Sequence, residues 1–358
     1  MTSIKLPAID EAVLQASVDQ AVSDLAAAVS GLLLHLGDRL GLYKAMAGAG
    51  PLTTTALAQR TGIVERYVRE WLCNQAIGGY VRYRPGLDTF ELSAEQAMVL
   101  ADEDSPVFLG GAFELVAACY SDHDLLVEAF RTGTGISWDS HDHRIFTGVA
   151  RLSRPRYAAH LVGDWLPSLD GVEAKLRDGA SVADVGCGRG ASAVILAEAF
   201  TRSTVAGFDG HAPSVEAAHR AAVEAGVSHR VRFQVASATD FPGQGFDLVC
   251  LLDALHDTGN PVGAARHIRQ ALAADGTLLL VEPTAGATME QNLNPIGRAY
   301  CGLSTVICTP RSQAQETGLG LGAQAGEERL TAVLRDAGFR QVRWVTQTPF
   351  SLVLEARP

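Results

Sequence analysis

Apolar residues in the N-terminal part of the chain recur at helical spacing. Val13, Leu14, Val18, Val22, Leu25, Val29, Leu32, Leu33 and Leu36 predict helix within residues 9 to 47, punctuated at Gly41 and closed by Gly48–Pro51. A further helix is expected over Thr53–Arg60, then a turn at Thr61-Gly62. The next helix, Val64–Gln75, stops at Gly78-Gly79. Tyr80–Arg84 and Thr89–Leu92 flank the turn Pro85-Gly86 as a small hairpin. Helical spacing returns over residues 106 to 168 around an irregular stretch, Thr132–His143, and Asp170–Asp178 reads as a linker.

Beyond Ser181 the pattern changes to short apolar runs: Val182–Val185, Val205–Asp209, Val231–Val235, Phe246–Leu252 and Thr277–Val281, the last launched by Asp275-Gly276. Between them lie helical stretches at Ala191–Phe200, Pro213–Gly226 and Pro261–Ala273. Buried strands alternating with helices predict an α/β fold with a doubly wound parallel sheet. Glu328–Ala337 reads as a helix, and Gln341–Thr346 with Phe350–Ala356 as antiparallel strands around Thr348-Pro349. A long excursion, residues 284–326, leaves the sheet after Glu282-Pro283. It follows the carboxyl end of a strand, where such sheets bind ligands, and loops of this length are usually functional.

The first of these strands runs into a glycine turn, SVADVGCGRG, with glycines at 186, 188 and 190. Glycine serves where backbone turns tightly against a ligand, and a helix N-terminus follows at once. A dinucleotide site spaces its third glycine one residue later. The early glycine, with Asp184 in the strand before it, resembles the first motif of class I S-adenosylmethionine (SAM) methyltransferases. The resemblance implies SAM as cofactor and S-adenosylhomocysteine as its product. It implies that Asp184 approaches the cofactor's amino group, and that Gly186, Cys187, Gly188 and Gly190 admit the methionine moiety. Asp209 ends the second strand, where a carboxylate accepts ribose hydroxyls, with Gly210 beside it. Phe208, Gly210 and Phe241 flank the expected adenine slot. Many members place an acid where Ser237 stands here, so the adenine contact stays open among Ser237, Ala238 through its backbone, and Asp240. Leu252 and Asp253, at the end of the fourth strand, are expected beside the methionine moiety.

The helix-turn-helix and hairpin near the N-terminus have the outline of a winged helix. Five arginines (60, 66, 69, 82, 84) and four acids (65, 70, 88, 91) between Pro51 and Leu92 make a poor footprint for phosphates. A packing and dimerisation module is the preferred reading. This outline ahead of a SAM domain resembles small-molecule O-methyltransferases of secondary metabolism, whose winged-helix part dimerises and helps cover the partner's site. Val68, Trp71, Leu72 and Ile77 are then core or interface residues. The excursion resembles that of actinobacterial methyltransferases with N-terminal winged helices, a likeness spanning nearly the whole chain. The expected organisation is a winged-helix dimerisation domain (1–105), a helical substrate-cover region (106–170) and a Rossmann-like SAM-binding catalytic domain (171–358). Apolar residues make up 47% of the chain, enough for packed cores, and a net charge of −11 argues against nucleic acid or an anionic membrane as partner. Six cysteines without C-x-x-C pairs, an acidic N-terminal stretch and no long apolar run predict a cytoplasmic protein without a membrane span.

Methylating a hydroxyl requires alignment with the methyl donor and removal of a proton. The fourth strand ends in LLDALHDTGNP, which places His256 just past the sheet edge. It resembles the catalytic histidine of the O-methyltransferases, with Asp257 to orient its ring. A capping or supporting histidine is the plainer reading, and in some C-methylating relatives a metal is held near this place. Such a metal needs a third protein ligand, and no histidine follows His267. His141 and His143, at i and i+2, cannot share a helix face and read as a polar loop. Substrate contacts are expected from Trp138, Tyr157, Arg298, Tyr300 and Ser304, with Arg298 suited to a carboxylate or carbonyl. The reading is a dimeric SAM-dependent methyltransferase of a small molecule, with His256 as base in O-methylation. N- or C-methylation without a histidine base, or a SAM-binding winged-helix regulator, are the alternatives.

Overall fold

The computed structural model describes residues 9–358. They form two units, one ending at Ala117 and one running from Ala118 to Pro358.

In the first unit, α1 (Glu11–Arg39) starts where the Asp10 side chain accepts the N–H groups of Ala12 and Val13 at 2.9 and 3.2 Å. Only Leu34, His35 and Gly37 of this helix are buried. After Gly41, in the left-handed region, come α2 (Leu42–Met46), α3 (Thr54–Thr61) and α4 (Glu65–Ile77). The wing is β1 (Arg82–Arg84) with β2 (Thr89–Glu91), Tyr83 opposite Phe90, and α5 (Ala94–Leu100) follows behind a Ser93–Gln96 capping box. Tyr43, Met46, Leu57, Val68, Trp71, Leu72 and Phe90 form the core. Ile77, expected in the core or an interface, is 87% exposed.

The helix α1 is long and apolar enough, by length and composition alone, to cross a membrane. Its exposed large apolar residues, Val13 excepted, nevertheless keep to one stripe. Val18, Val22, Leu25, Val29, Leu32 and Leu36 follow alternating steps of four and three, while Asp19, Gln20 and Asp24 lie off it. That spacing is the one a coiled-coil seam uses, with Val22 and Val29 at one heptad position and Leu25 and Leu32 at the other.

The chain continues through α6 (Gly110–Ser121), α7 (His123–Thr132) and α8 (Arg144–His160). The last contains Pro155 and runs into a π turn, Leu161–Trp165. The stretch read as a linker folds as α9 (Val172–Asp178), because Val172 and Leu176 bury one side of it. The sheet is then built from β3 (Ser181–Val185), α10 (Ala191–Ala199), β4 (Thr204–Asp209), α11 (Ala212–Glu224), β5 (Val231–Val235), β6 (Phe246–Leu252), α12 (Pro261–Ala271) and β7 (Leu272–Pro283). The excursion holds α13 (Pro295–Leu303), a π turn over Ser304–Cys308 and α14 (Thr309–Gln313). It rejoins the sheet through α15 (Gly326–Asp336), β8 (Gln341–Gln347) and β9 (Ser351–Arg357).

Strand order is β5-β4-β3-β6-β7-β9-β8, parallel through β7 and antiparallel at β9 and β8. Apolar layers cover both faces, which is why the central strands read as continuous apolar runs. Asp275-Gly276 lies inside β7 at an irregularity in its pairing with β6, rather than in a turn before it. The register brings Asp184, Asp209, Leu252 and Glu282 to one end of the sheet.

Candidate active site

At the end of β3 the backbone turns through three glycines, all at positive φ: +72° at Gly186, +51° at Gly188 and +84° at Gly190. A Cβ at Gly186 would lie 2.7 Å from that of Ala254, and one at Gly190 would lie 2.8 Å from that of Ala218. At Gly188 it would meet nothing within 4 Å, so this backbone faces open space. The turn is pinned to β4, since Gly186 and Cys187 donate their N–H groups to the Phe208 carbonyl at 2.8 and 3.0 Å. Cys187 is buried beneath it, which pushes its thiol well up.

Asp209 accepts the N–H groups of Gly188 at 2.9 Å and His211 at 2.8 Å. Each carboxylate oxygen keeps a lone pair for a further donor, as a ribose diol requires. Asp184 is placed differently from expectation. Its side chain accepts from Ser192 Oγ at 2.6 Å and is 1% exposed, so it supports the turn from behind rather than reaching over it. Burial, then the nearby Asp209 charge, pushes its carboxyl up to about 7 against the Ser192 hydrogen bond.

In the turn after β5, Asp240 accepts the backbone and hydroxyl groups of Ser237 at 3.1 and 2.9 Å, and both residues are exposed. Ala238 is half-buried, and Gly210 has open space where a side chain would be. Phe241 belongs to the core instead of a ligand slot: it is 1% exposed and packs on Phe208, its ring centroid 5.0 Å away. Leu252 is likewise a core residue, because it closes a strand covered on both faces. The aromatic surface beside Asp209 is His211, on which Phe146 of α8 stacks at 3.9 Å. Burial lowers the His211 pKa.

His256 stands on a short helical turn, Leu255–Asp257, after β6. Its Nδ1 meets Glu282 Oε2 at 2.5 Å, and the other Glu282 oxygen accepts the N–H groups of Leu255 at 2.8 Å and Ala254 at 3.2 Å. Glu282 thus holds both the ring and the turn that carries it. Burial alone would lower the His256 pKa, but the Glu282 carboxylate, and after it Cys308, which also hydrogen-bonds the ring, together raise it well above 6.5. Asp257 does not orient His256; its Oδ2 accepts from Arg311 at 2.6 Å.

Asp253, a non-glycine residue at φ +52°, follows β6 directly and accepts from Tyr157 Oη at 2.7 Å and from Arg156. Arg156 also reaches Ser351 Oγ at 3.2 Å. Tyr157 is buried in this cluster, bonded to Asp253. Tyr300 donates to the Phe350 carbonyl at 2.7 Å; burial first, then the Asp253 charge, pushes it up to about 12 despite the opposing charges of Arg156 and His256. Ser304 turns inward and accepts the Ala323 N–H at 3.0 Å, so it ties the excursion together rather than facing a substrate. Arg298 is exposed on α13. Trp138 is half-buried against Phe146 and Arg311. His141 points inward to Asp122 at 2.7 Å while His143 is exposed, so the two diverge.

Glu282, Arg156, Arg311 and His211 were not assigned to the site from sequence. Only Glu282 carried a signal, as a charge ending the apolar run LLLV.

Comparison with known proteins agrees with the two-part architecture. Residues 27–102 match the Rv2258c-like winged HTH domain, and residues 176–338 match a methyltransferase domain. The chain therefore carries a winged helix-turn-helix domain followed by a methyltransferase domain. Among characterised relatives, it is 30% identical over 160 residues to 27-O-demethylrifamycin SV methyltransferase of Amycolatopsis mediterranei, over 43% of this chain and 58% of that one. It is 26% identical over 280 residues to mitomycin biosynthesis 6-O-methyltransferase of Streptomyces lavendulae, over 75% of this chain and 78% of that one. The structure of human N-acetylserotonin methyltransferase in complex with SAM superposes with a TM-score of 0.70 at 18% identity, covering 100% of this chain and 99% of that one.

Proposed function

We propose that the protein is a SAM-dependent O-methyltransferase of a small-molecule secondary metabolite, acting in the cytoplasm as a homodimer. The observation that carries the chemistry is the His256–Glu282 pair at the sheet end that also bears the glycine turn and Asp209. The residues fit the cofactor: Gly188 leaves room for it, Asp209 can take its ribose, and the Asp253 carboxylate can take its amino group. When bound, SAM supplies an activated methyl group and its own leaving group.

With SAM bound to supply the methyl group, His256 would take the proton of the acceptor hydroxyl at the ring nitrogen that Glu282 does not engage. Glu282 fixes the ring's direction and stabilises the imidazolium that forms. The raised pKa of His256 favours one alternative, N- or C-methyl transfer, in which the ring stays protonated and orients the acceptor. The exposed seam of α1 supports the dimer, the second copy supplying the facing helix.

Calorimetric titration with SAM and S-adenosylhomocysteine, on wild type and His256→Gln, tests the reading. Wild type binds both, and His256→Gln binds them with unchanged affinity but loses methyl transfer. Failure of wild type to bind either ligand removes the methyltransferase reading. Loss of binding in the variant makes His256 a cofactor-side residue.

A further inference from the structure

Arg311 was not singled out from sequence, yet it is fixed beside the catalytic turn on two sides. Its Nη1 donates to Asp257 Oδ2 at 2.6 Å, and its guanidinium carbon lies 4.1 Å from the centre of the Trp138 ring. Trp138 is braced in turn by the edge-on ring of Phe146 at 5.1 Å. The loop before it is tied to α14, where Ile136 N–H donates to the Pro310 carbonyl at 3.0 Å. The guanidinium therefore has one edge and one face fixed. Its side chain keeps 24% of its surface open, and Asp257 is its sole hydrogen-bond partner among the described residues.

A planar fork held flat presents its remaining N–H donors in a set direction, and little freedom is lost when a pair of oxygens docks there. The location is also suited to an acceptor. Asp257 adjoins His256 in the chain, and Arg311 lies near enough to His211 for its charge to disfavour that ring's protonation. Arg156 does not offer this, since it is enclosed by Asp253, Tyr157 and Ser351.

We propose that Arg311, laid on Trp138 and anchored by Asp257, is a carboxylate-recognition subsite, so that the methyl acceptor is a hydroxylated compound bearing a carboxylate near its reacting hydroxyl. The inference rests on the O-methyltransferase reading of the site. Asp257 then belongs to the substrate anchor rather than to the general base.

The test is calorimetry on protein saturated with S-adenosylhomocysteine, using 2-hydroxybenzoate and, as a neutral counterpart on the same ring, 2-hydroxybenzyl alcohol. Wild type is expected to bind the carboxylate about tenfold or more tightly than the alcohol. Arg311→Lys keeps the charge but not the fork, and should lose most of that preference. Arg311→Met alone would strand the buried Asp257 carboxylate, so the double variant Asp257→Asn with Arg311→Met serves as the neutral control and should show no preference. Binding of S-adenosylhomocysteine by each variant shows that it is folded. The subsite is overturned if wild type shows no preference, if it binds neither aromatic while binding the cofactor product, or if the double variant keeps the preference. Variants that lose the cofactor product while wild type binds it would move Arg311 to the cofactor and overturn the subsite as well. Wild type that fails to bind the cofactor product overturns the underlying methyltransferase reading, a separate outcome.

Discussion

Glu282 determines how His256 behaves, and its effect has a definite sign. A carboxylate beside a buried imidazole favours the protonated ring, so His256 loses its proton only above pH 6.5. Catalysis that needs the neutral base should therefore rise with pH along a limb displaced upward from the ordinary histidine range. Glu282→Gln removes the larger of the charges that raise the ring, so the limb should move to lower pH while the rate plateau falls. The pH profile of kcat/KM reads both effects, and an unmoved limb would separate the two residues functionally. Asp209 is the second residue with a sharp expectation. Asp209→Ala should weaken SAM binding about tenfold, the scale of one charge-assisted hydrogen bond. Unchanged affinity in calorimetry would remove it from the ribose site.

Within the β3 turn, glycines only two residues apart serve different ends. Gly190→Ala would press a methyl against Ala218 and Phe233, adding about 1–3 kcal/mol of overpacking to the backbone strain. Gly188→Ala meets no neighbour and adds only the left-handed penalty, about 1–2 kcal/mol. Thermal melts should show the larger loss for Gly190→Ala. Titration with SAM should show the sharper defect per degree of destabilisation for Gly188→Ala, whose methyl enters the open face. The buried strands were legible because period and length agree, and Phe246–Leu252 matches its predicted bounds. The linker at Asp170–Asp178 was misread because a short helix with only Val172 and Leu176 buried leaves little periodicity.

For the whole molecule, the unpartnered stripe on α1 supports assembly. Charge at the seam should break a coiled coil of two copies, so Leu25→Glu with Leu32→Glu is expected to give monomers in sedimentation equilibrium, with SAM binding retained. A monomeric wild type would remove the dimer. The winged helix carries arginines, but Arg66 pairs with Glu70, Arg69 with Glu65 and Arg84 with Glu91, which neutralises surface that phosphate binding would need. A low-salt gel-shift titration should show no complex with duplex DNA.

The sequence by itself determined the sheet, its strand order along the chain, the glycine turn and the positions of Asp209 and His256, because these depend on local period and on backbone that only glycine tolerates. It also determined the winged-helix outline through turn chemistry at Gly62 and Gly78. Only the tertiary structure decided the partners. Glu282 rather than Asp257 meets His256, Arg311 is anchored on Asp257 beside the Leu255–Asp257 turn, and Phe241 and Leu252 turn into the core. Each of these depends on which side chains from distant segments arrive at one end of the sheet, and spacing along the chain carries no record of that.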